Sequence, residues 1–283
     1  MKYFSLTNDP DHGKTDDYRK ILRMLAKNGI FVTTAVFCKL KDDNSSLSKH
    51  CFKGETNTLE DTDYRDLMIE AKELGHEIAY HGYSQVSDTR DEFKKGLEIF
   101  RNIFGEYPKV YFEHGGHASF HPTDKVKKEN LSFFGSDKTS KYFVKDIIKN
   151  VFDVVWTHDY LMDNLKRPLP LKEIFVEKDG ITYLNRWRMY HFNDIKYKSD
   201  STNNVVVGYT HFGYEGYKRS GRNIPFNIYK NYINKNGYYE RWIGRDLIKV
   251  VGLLKNYLSK NNVESLTVSE LFNRYNCEKY DIR

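Results

Sequence analysis

A chain of 283 residues with 39% hydrophobic and 15% aromatic content, including 22 Tyr and 18 Phe, has enough apolar surface to fold into a large core even with 30% charged residues. Its formal charge of +6 arises from 45 Lys and Arg interleaved with 39 Asp and Glu. Such mixing marks a solvated surface that accepts anionic substrates, for instance phosphorylated or nucleotide-linked molecules, without requiring nucleic acid. Cys38, Cys51 and Cys277 lack CxxC spacing, which argues against a disulfide framework or a thiolate zinc cluster and fits a reducing compartment.

Tyr3 to Thr7 reads as a first strand, ended by the turn Asn8-Asp9-Pro10-Asp11-His12-Gly13. Thr15 is placed to cap a helix whose apolar positions Tyr18, Ile21, Leu22 and Leu25 keep helical spacing, with Asp16 and Asp17 suited to its first turn. Ile30 to Phe37 is a continuous β-branched and aromatic run, as in a strand buried on both faces of a parallel sheet. A polar loop, Lys39 to Asp61, precedes a helix from Thr62 to Leu74 that stops at Gly75. The strand through Ile78-Ala79-Tyr80 then delivers His81, and a second amphipathic helix over Phe93, Leu97 and Phe100 ends at Gly105. Val110 to Phe112 is a strand followed by Glu113 and His114. Tyr142 to Lys149 reads as a short helix, and Asp153 to Trp156 as a strand leading to Asp159.

Ile181 to Leu184 and Trp187 to Phe192 read as strands of a hairpin-like insertion after the Asp179-Gly180 turn. Val205 to Tyr209 is the last strong strand and delivers Thr210-His211. An amphipathic helix over Ile243 to Leu258 follows, then a capping box, Thr267 with Glu270, opens a final helix. This βα succession predicts an α/β fold: a single-domain distorted (β/α) barrel of mostly parallel strands covering residues 1–283. No run approaches the ~20 apolar residues of a membrane span, and the first residues carry no signal-like apolar stretch, so a soluble cytoplasmic protein is expected.

One regularity points to chemistry. Every strong strand except Ile30 to Phe37 ends on ionisable residues: Asp9 and Asp11, His81, Glu113 and His114, Asp159, His211. In parallel α/β barrels the C-terminal strand ends converge on one face, so residues scattered along the chain meet there. His76, by contrast, precedes its strand and reads as a structural hydrogen-bonding residue. The glycine- and cation-rich loop Gly213 to Arg222 reads as a solvated loop able to grip a phosphate, and Trp187 to Tyr190 as core or a stacking surface for a sugar ring.

Asp9-Pro10-Asp11, Gly75 to His81 and the strand ending in Thr210-His211 resemble, in order and spacing, the motifs of the polysaccharide deacetylase family, carbohydrate esterase family four. The resemblance implies a distorted barrel, a catalytic-base Asp at Asp9, metal-binding Asp11 and His81, and a general-acid histidine at His211. It also implies a second metal histidine four residues after the first, where this chain has Gln85. Either Gln85 coordinates through its amide oxygen, or His114 or His117 takes that place. The Arg that pairs with the base Asp in the family has no match at Glu113-His114-Gly115-Gly116. Glu113, His114 and Asp159 are expected to line the substrate, Asp159 also being placed to orient His211.

A divalent metal, with Zn²⁺ expected, held by carboxylate and imidazole lowers the pKa of bound water from 15.7 to about 7, while a base and an acid move protons on either side of the scissile bond. The expected activity is therefore removal of an N-acyl group, acetyl in the first instance, from a sugar or a nucleotide- or lipid-linked sugar precursor. Hydrolysis of another C–N bond, in a cyclic amide or ureide, is the second enzymatic reading. A barrel that only binds carbohydrate is the non-enzymatic one. No nucleic-acid partner is expected.

Overall fold

The structure, a computed structural model, describes residues 2–11, 13–41, 56–114, 130–132, 134–157, 169–188, 204–212 and 245–280. Strands β1 (Tyr3–Asn8) and β2 (Val32–Phe37) are buried along their whole length, as the unbroken run of β-branched and aromatic residues predicts. Helix α1 (Thr15–Lys27) joins them and turns Tyr18, Ile21, Leu22 and Leu25 onto the sheet. Thr15 does not cap it. Its N–H and hydroxyl instead donate to Asn57 Oδ1, so the cap comes from a neighbouring loop.

Helix α2 (Thr62–Glu73) leads through Gly75, at φ +94°, into β3 (Glu77–Gly82). Helix α3 (Arg90–Phe104) opens with a capping box between Thr89 and Glu92 and closes on Gly105 in the left-handed region, then β4 (Val110–Phe112) follows. Helix α4 (Lys145–Val151) precedes β5 (Val154–Trp156). The short β6 (Leu169–Pro170) and α5 (Leu171–Ile174) lead into a hairpin of β7 (Phe175–Lys178) and β8 (Ile181–Leu184). Its turn is Asp179-Gly180, both at positive φ as a primed turn needs. Thus the expected turn is present, but the strands it joins are β7 and β8. The next strand, β9 (Trp187–Arg188), pairs elsewhere, and the remainder of the expected 187–192 strand lies outside the described residues. After β10 (Asn204–Thr210) come α6 (Arg245–Lys260), β11 (Glu264–Ser265) and α7 (Val268–Tyr280).

The strands form one sheet in the order β6-β10-β1-β2-β3-β4-β5-β8-β7, with β9 on β10 and β11 on β1. Its centre is parallel, but β6 on β10 and β7 on β8 are antiparallel. The expected α/β fold with mostly parallel pairing is present, but its closure into a barrel is not shown: among the described residues β6 and β7 remain two separate edges, and the sheet is a mixed, curled half-barrel. Strand pairs as short as β6 and β9 leave too little periodicity in sequence to show this.

Side chains alternate between two cores. Phe4, Leu6, Val36, Tyr80, Tyr111 and Val155 face α1 to α4. Tyr3, Ala35, Ala79, Val110, Phe112, Trp156, Val205 and Val207 line the concave face with Leu271 of α7 and Ile174 of α5. Helix α7 closes the end at which β2 and β3 begin: Val268 N–H donates to Thr33 Oγ1 (2.8 Å) and Ser269 N–H to Glu77 Oε2 (3.2 Å). Thr267 and Glu270 form its capping box, as expected. The opposite end, where the parallel strands finish, is left for polar groups.

Candidate functional site

Alternation along the strands carries past their ends and decides what meets there. Val110, Phe112 and His114 are in phase, as are Val205, Val207, Tyr209 and His211, and Tyr3 with Asp9. At β3 the pairing slips: Val36 opposes Tyr80, but Phe37 opposes Gly82, so His81 sits in a bulge. Gly82 follows at φ +130°, a conformation suited to glycine. Bulges re-aim side chains at strand ends, and here the residue re-aimed is a histidine.

Asp11, His81 and His114 each offer one donor atom, and the three atoms lie within 4.8 Å of one another. All three residues are buried. The imidazoles are oriented by backbone carbonyls. His81 Nδ1 is 2.6 Å from Phe112 O, and His114 Nδ1 is 2.6 Å from Gln85 O. A carbonyl only accepts, so Nδ1 of each ring carries a proton and Nε2 is the nitrogen turned toward the site. His114 Nε2 lies 3.3 Å from Asp11 Oδ1. The Phe37 ring packs against both imidazoles, with centroids 4.8 and 5.1 Å away, and forms an apolar wall behind them. One carboxylate and two imidazoles oriented from behind fit a divalent ion such as Zn²⁺.

Asp9 and His211 stand beside this group. His211 Nε2 is 3.5 Å from Asp11 Oδ2 and 3.9 Å from Asp9 Oδ2. Asp9 meets Arg186 in a fork, Nη1 to Oδ1 and Nη2 to Oδ2, both 2.9 Å. The guanidinium is buried and lies against the rings of Trp156 (3.7 Å), Tyr209 (4.0 Å) and Phe112 (4.8 Å). Burial alone would raise the Asp9 carboxyl, but the Arg186 charge and hydrogen bonds outweigh it, with help from His81 and His211, and hold it at about 2. Burial likewise acts against the Asp11 anion, and His114 with His211 overcomes it, holding Asp11 well below the usual carboxylate range.

Arg186 is the site residue that the strand-end pattern does not reveal. It follows β8 in Asn185-Arg186-Trp187, far along the chain from Asp9, and the available signal was a single cation two residues past the apolar strand Ile181–Leu184. It supplies the pairing that Glu113-His114-Gly115-Gly116 lacks.

Two expected positions are used differently. The Gln85 amide is engaged by Lys41: Oε1 accepts from its N–H (2.9 Å) and Nε2 donates to its carbonyl (2.6 Å). Of the alternatives for the third place, Gln85 turns its amide to Lys41, whereas His114 groups its donor atom with those of Asp11 and His81. The cause is local. Asp88 accepts from Tyr83 N–H, Ser84 N–H and the Ser84 hydroxyl, tightening the turn after His81 so that Gln85 points at the Lys41 backbone. Glu113, expected to line the substrate, accepts from Leu131 N–H (2.7 Å), Ser132 N–H (3.0 Å) and the Ser132 hydroxyl, and so anchors that turn. His76 is structural as expected: Nδ1 accepts from Val32 N–H and Nε2 faces Leu22 O. Asp159, His117 and the 213–222 loop lie outside the described residues.

No protein-family model and no curated protein matches the chain. Among solved structures it is similar to a family 4 acetyl xylan esterase from Clostridium thermocellum in complex with a cobalt ion, at 13% identity over 96% of this chain and 91% of that one, TM-score 0.44. A polysaccharide deacetylase from Bacillus cereus is similar at 12% identity over 94% and 92%, TM-score 0.45. So is a GH57-type branching enzyme from Pyrococcus horikoshii, at 10% identity over 97% and 70%, TM-score 0.48. What this site can do is therefore argued from its own side chains.

Proposed function

We propose that the chain is a metal-dependent hydrolase that removes an N-acyl group, acetyl in the first instance, from a sugar or sugar precursor. The observation that carries this reading is the convergence of Asp9, Asp11, His81, His114 and His211 at one end of the sheet, three of them with donor atoms within 4.8 Å. Asp11, His81 and His114 would hold the metal, with Zn²⁺ preferred by an N,N,O donor set. When bound, such an ion polarises an acyl carbonyl and makes a nucleophile of water near neutral pH.

The protein's own groups supply the proton movements. Asp9, kept ionised by Arg186, accepts a proton from the attacking water. His211, close to both aspartates, hands a proton to the departing nitrogen, which leaves far more readily as an amine than as an amide anion. The aspartates thus have distinct duties: one is fixed by a guanidinium, the other turned toward the imidazoles.

The test is zinc titration of wild type, His114→Ala and Gln85→Ala, followed by acetate release from N-acetylated sugars. One ion per chain that His114→Ala abolishes, together with zinc-dependent acetate release from the wild type, is the expected result. A wild type that takes up no ion at excess zinc refutes the proposal. An ion without acetate release from any N-acetyl sugar refutes the substrate assignment.

A further inference from the structure

The centre contains a polar residue that the catalytic groups do not account for. Asn8, completely buried, ends β1 directly before Asp9 and opposes Thr210, the residue before His211, in the β1–β10 ladder. The last backbone rung is Asp9 N–H to Thr210 O (3.0 Å), after which β10 leaves the sheet. Asn8 adds one more rung made of side chain. Its Oδ1 accepts from Phe212 N–H at 2.7 Å, and this N–H fixes which end of the amide faces β10. Its Nδ2 then donates to Thr34 Oγ1 on β2 (2.8 Å) and to Tyr18 Oη on α1 (2.9 Å). Tyr18 Oη in turn donates to Asp9 O (3.3 Å), and its ring meets the buried Phe212 ring edge-on at 5.7 Å.

We infer that Asn8 is a positioning residue that fixes His211 relative to Asp9 by tying the backbone after one to the backbone before the other. This rests on the roles assigned to Asp9 and His211 above. The argument is geometric. His211 lies between Thr210, held by the ladder, and Phe212, held by Asn8, so both flanks of its Cα are tied to β1. Without the amide, the second flank loses its bond to β1. The imidazoles of His81 and His114 take their orientation from other groups, Phe112 O and Gln85 O. Loss of Asn8 should therefore misplace the proton donor and leave the histidine pair of the metal site in place. A misplacement of about 1 Å costs roughly a hundredfold in rate.

The variants are Asn8→Leu, which removes the rung at similar volume, and Asn8→Asp, which keeps the acceptor for Phe212 N–H and can accept from the Thr34 and Tyr18 hydroxyls. Leu258→Ala, a core truncation in α6 near the opposite end of β1, controls for general destabilisation. Two readouts are taken on folded protein: histidine ¹³Cε1 NMR, with the His211 signal assigned by His211→Gln, and kcat and KM for acetate release per zinc-binding site. The expected result is a displaced His211 signal in Asn8→Leu, with those of His81 and His114 unmoved, and restoration toward wild type in Asn8→Asp. kcat should fall about a hundredfold in Asn8→Leu at unchanged KM and zinc stoichiometry. An unmoved His211 signal in Asn8→Leu, or the same displacement in Leu258→Ala, overturns the inference. Should Asn8→Leu not fold, an Asn8→Asp spectrum whose His211 signal departs from wild type as far as that of Tyr18→Phe overturns it as well. If the wild type binds zinc but releases no acetate, the proposed reaction fails while the NMR comparison still decides the role of Asn8.

Discussion

Replacing Arg186 by Met keeps an unbranched side chain among Trp156, Tyr209 and Phe112 and removes the charge opposite Asp9. Because the pair is buried, the cost is that of a stranded carboxylate, about 3–5 kcal/mol, rather than the 0.2–1 kcal/mol of an exposed pair. A second route gives a compatible figure. Asp9 is held at about 2 against an ordinary 3.8, an interval on the order of 2 kcal/mol at 1.36 kcal/mol per pH unit. The sign follows from the depressed value: this contribution is complete above the unfolded-state pKa near 4 and is lost as pH falls toward 2. In Arg186→Met the burial persists without the guanidinium, so the carboxyl moves above its ordinary value and acidification relieves the variant by protonating Asp9. Urea unfolding of chelator-treated protein, followed by far-UV circular dichroism and tryptophan fluorescence at pH 7 and pH 4, measures both effects. The loss should be about 3 kcal/mol or more at pH 7, smaller at pH 4, and largely absent when Arg186→Met is made in Asp9→Asn. A loss below about 1 kcal/mol at pH 7, or one that does not depend on Asp9, would refute the reasoning.

Gln85→Leu should leave zinc affinity within a few-fold of wild type, since its amide bonds to the Lys41 backbone, and should lower stability by about 1–3 kcal/mol; a large fall in zinc affinity would restore Gln85 as a ligand. Gly82→Ala meets a φ of +130° beside the His81 bulge, so it should cost about 1–3 kcal/mol and weaken zinc binding, and a neutral result by calorimetry would contradict the bulge. Zinc at a hundred times its Kd should add about 2.7 kcal/mol to the wild type, seen as a raised Tm, and add nothing to His81→Ala.

The strand-end convergence was legible because a parallel strand is an unbroken apolar run and its C-terminal residue is easy to find. Val205 to Tyr209 led directly to His211, and Val110 to Phe112 to His114. The different placing of Glu113 and His114, both expected to line the substrate, was also present in the sequence, in the phase. His114 shares the parity of Val110 and Phe112 on the concave face, whereas Glu113 shares that of Tyr111, which faces the helices. Gln85 stood beside His114 and His117 because the family motif it resembles has a histidine at that position, and position along the chain cannot register that Asp88 tightens the turn and sends the amide to Lys41. Arg186 was hidden for another reason: its partner lies on the far side of the sheet order, and nothing in Asn185-Arg186-Trp187 distinguishes a buried cation from one of many surface ones. The open edges escaped because β6 is two residues long and the hairpin partner β7 exposes most of its side chains.

The adjacency of β3 and β4 has a consequence for how such a centre changes over time. Their ends approach closely enough that His81 and His114 have ring centroids only 5.2 Å apart, although the residues come from separate strands. A donor in the turn after β3 and a donor at the end of β4 therefore compete for one corner of the same polyhedron. Histidine can migrate from one strand to the next by two single substitutions, with a doubly supplied ancestor between them in which neither histidine is indispensable. Arg186 illustrates the same freedom for the charge facing Asp9, since a guanidinium on a long side chain reaches that spot from beyond β8. What such a layout constrains is the set of corners to be filled, and a donor at either strand end meets the same geometric demand.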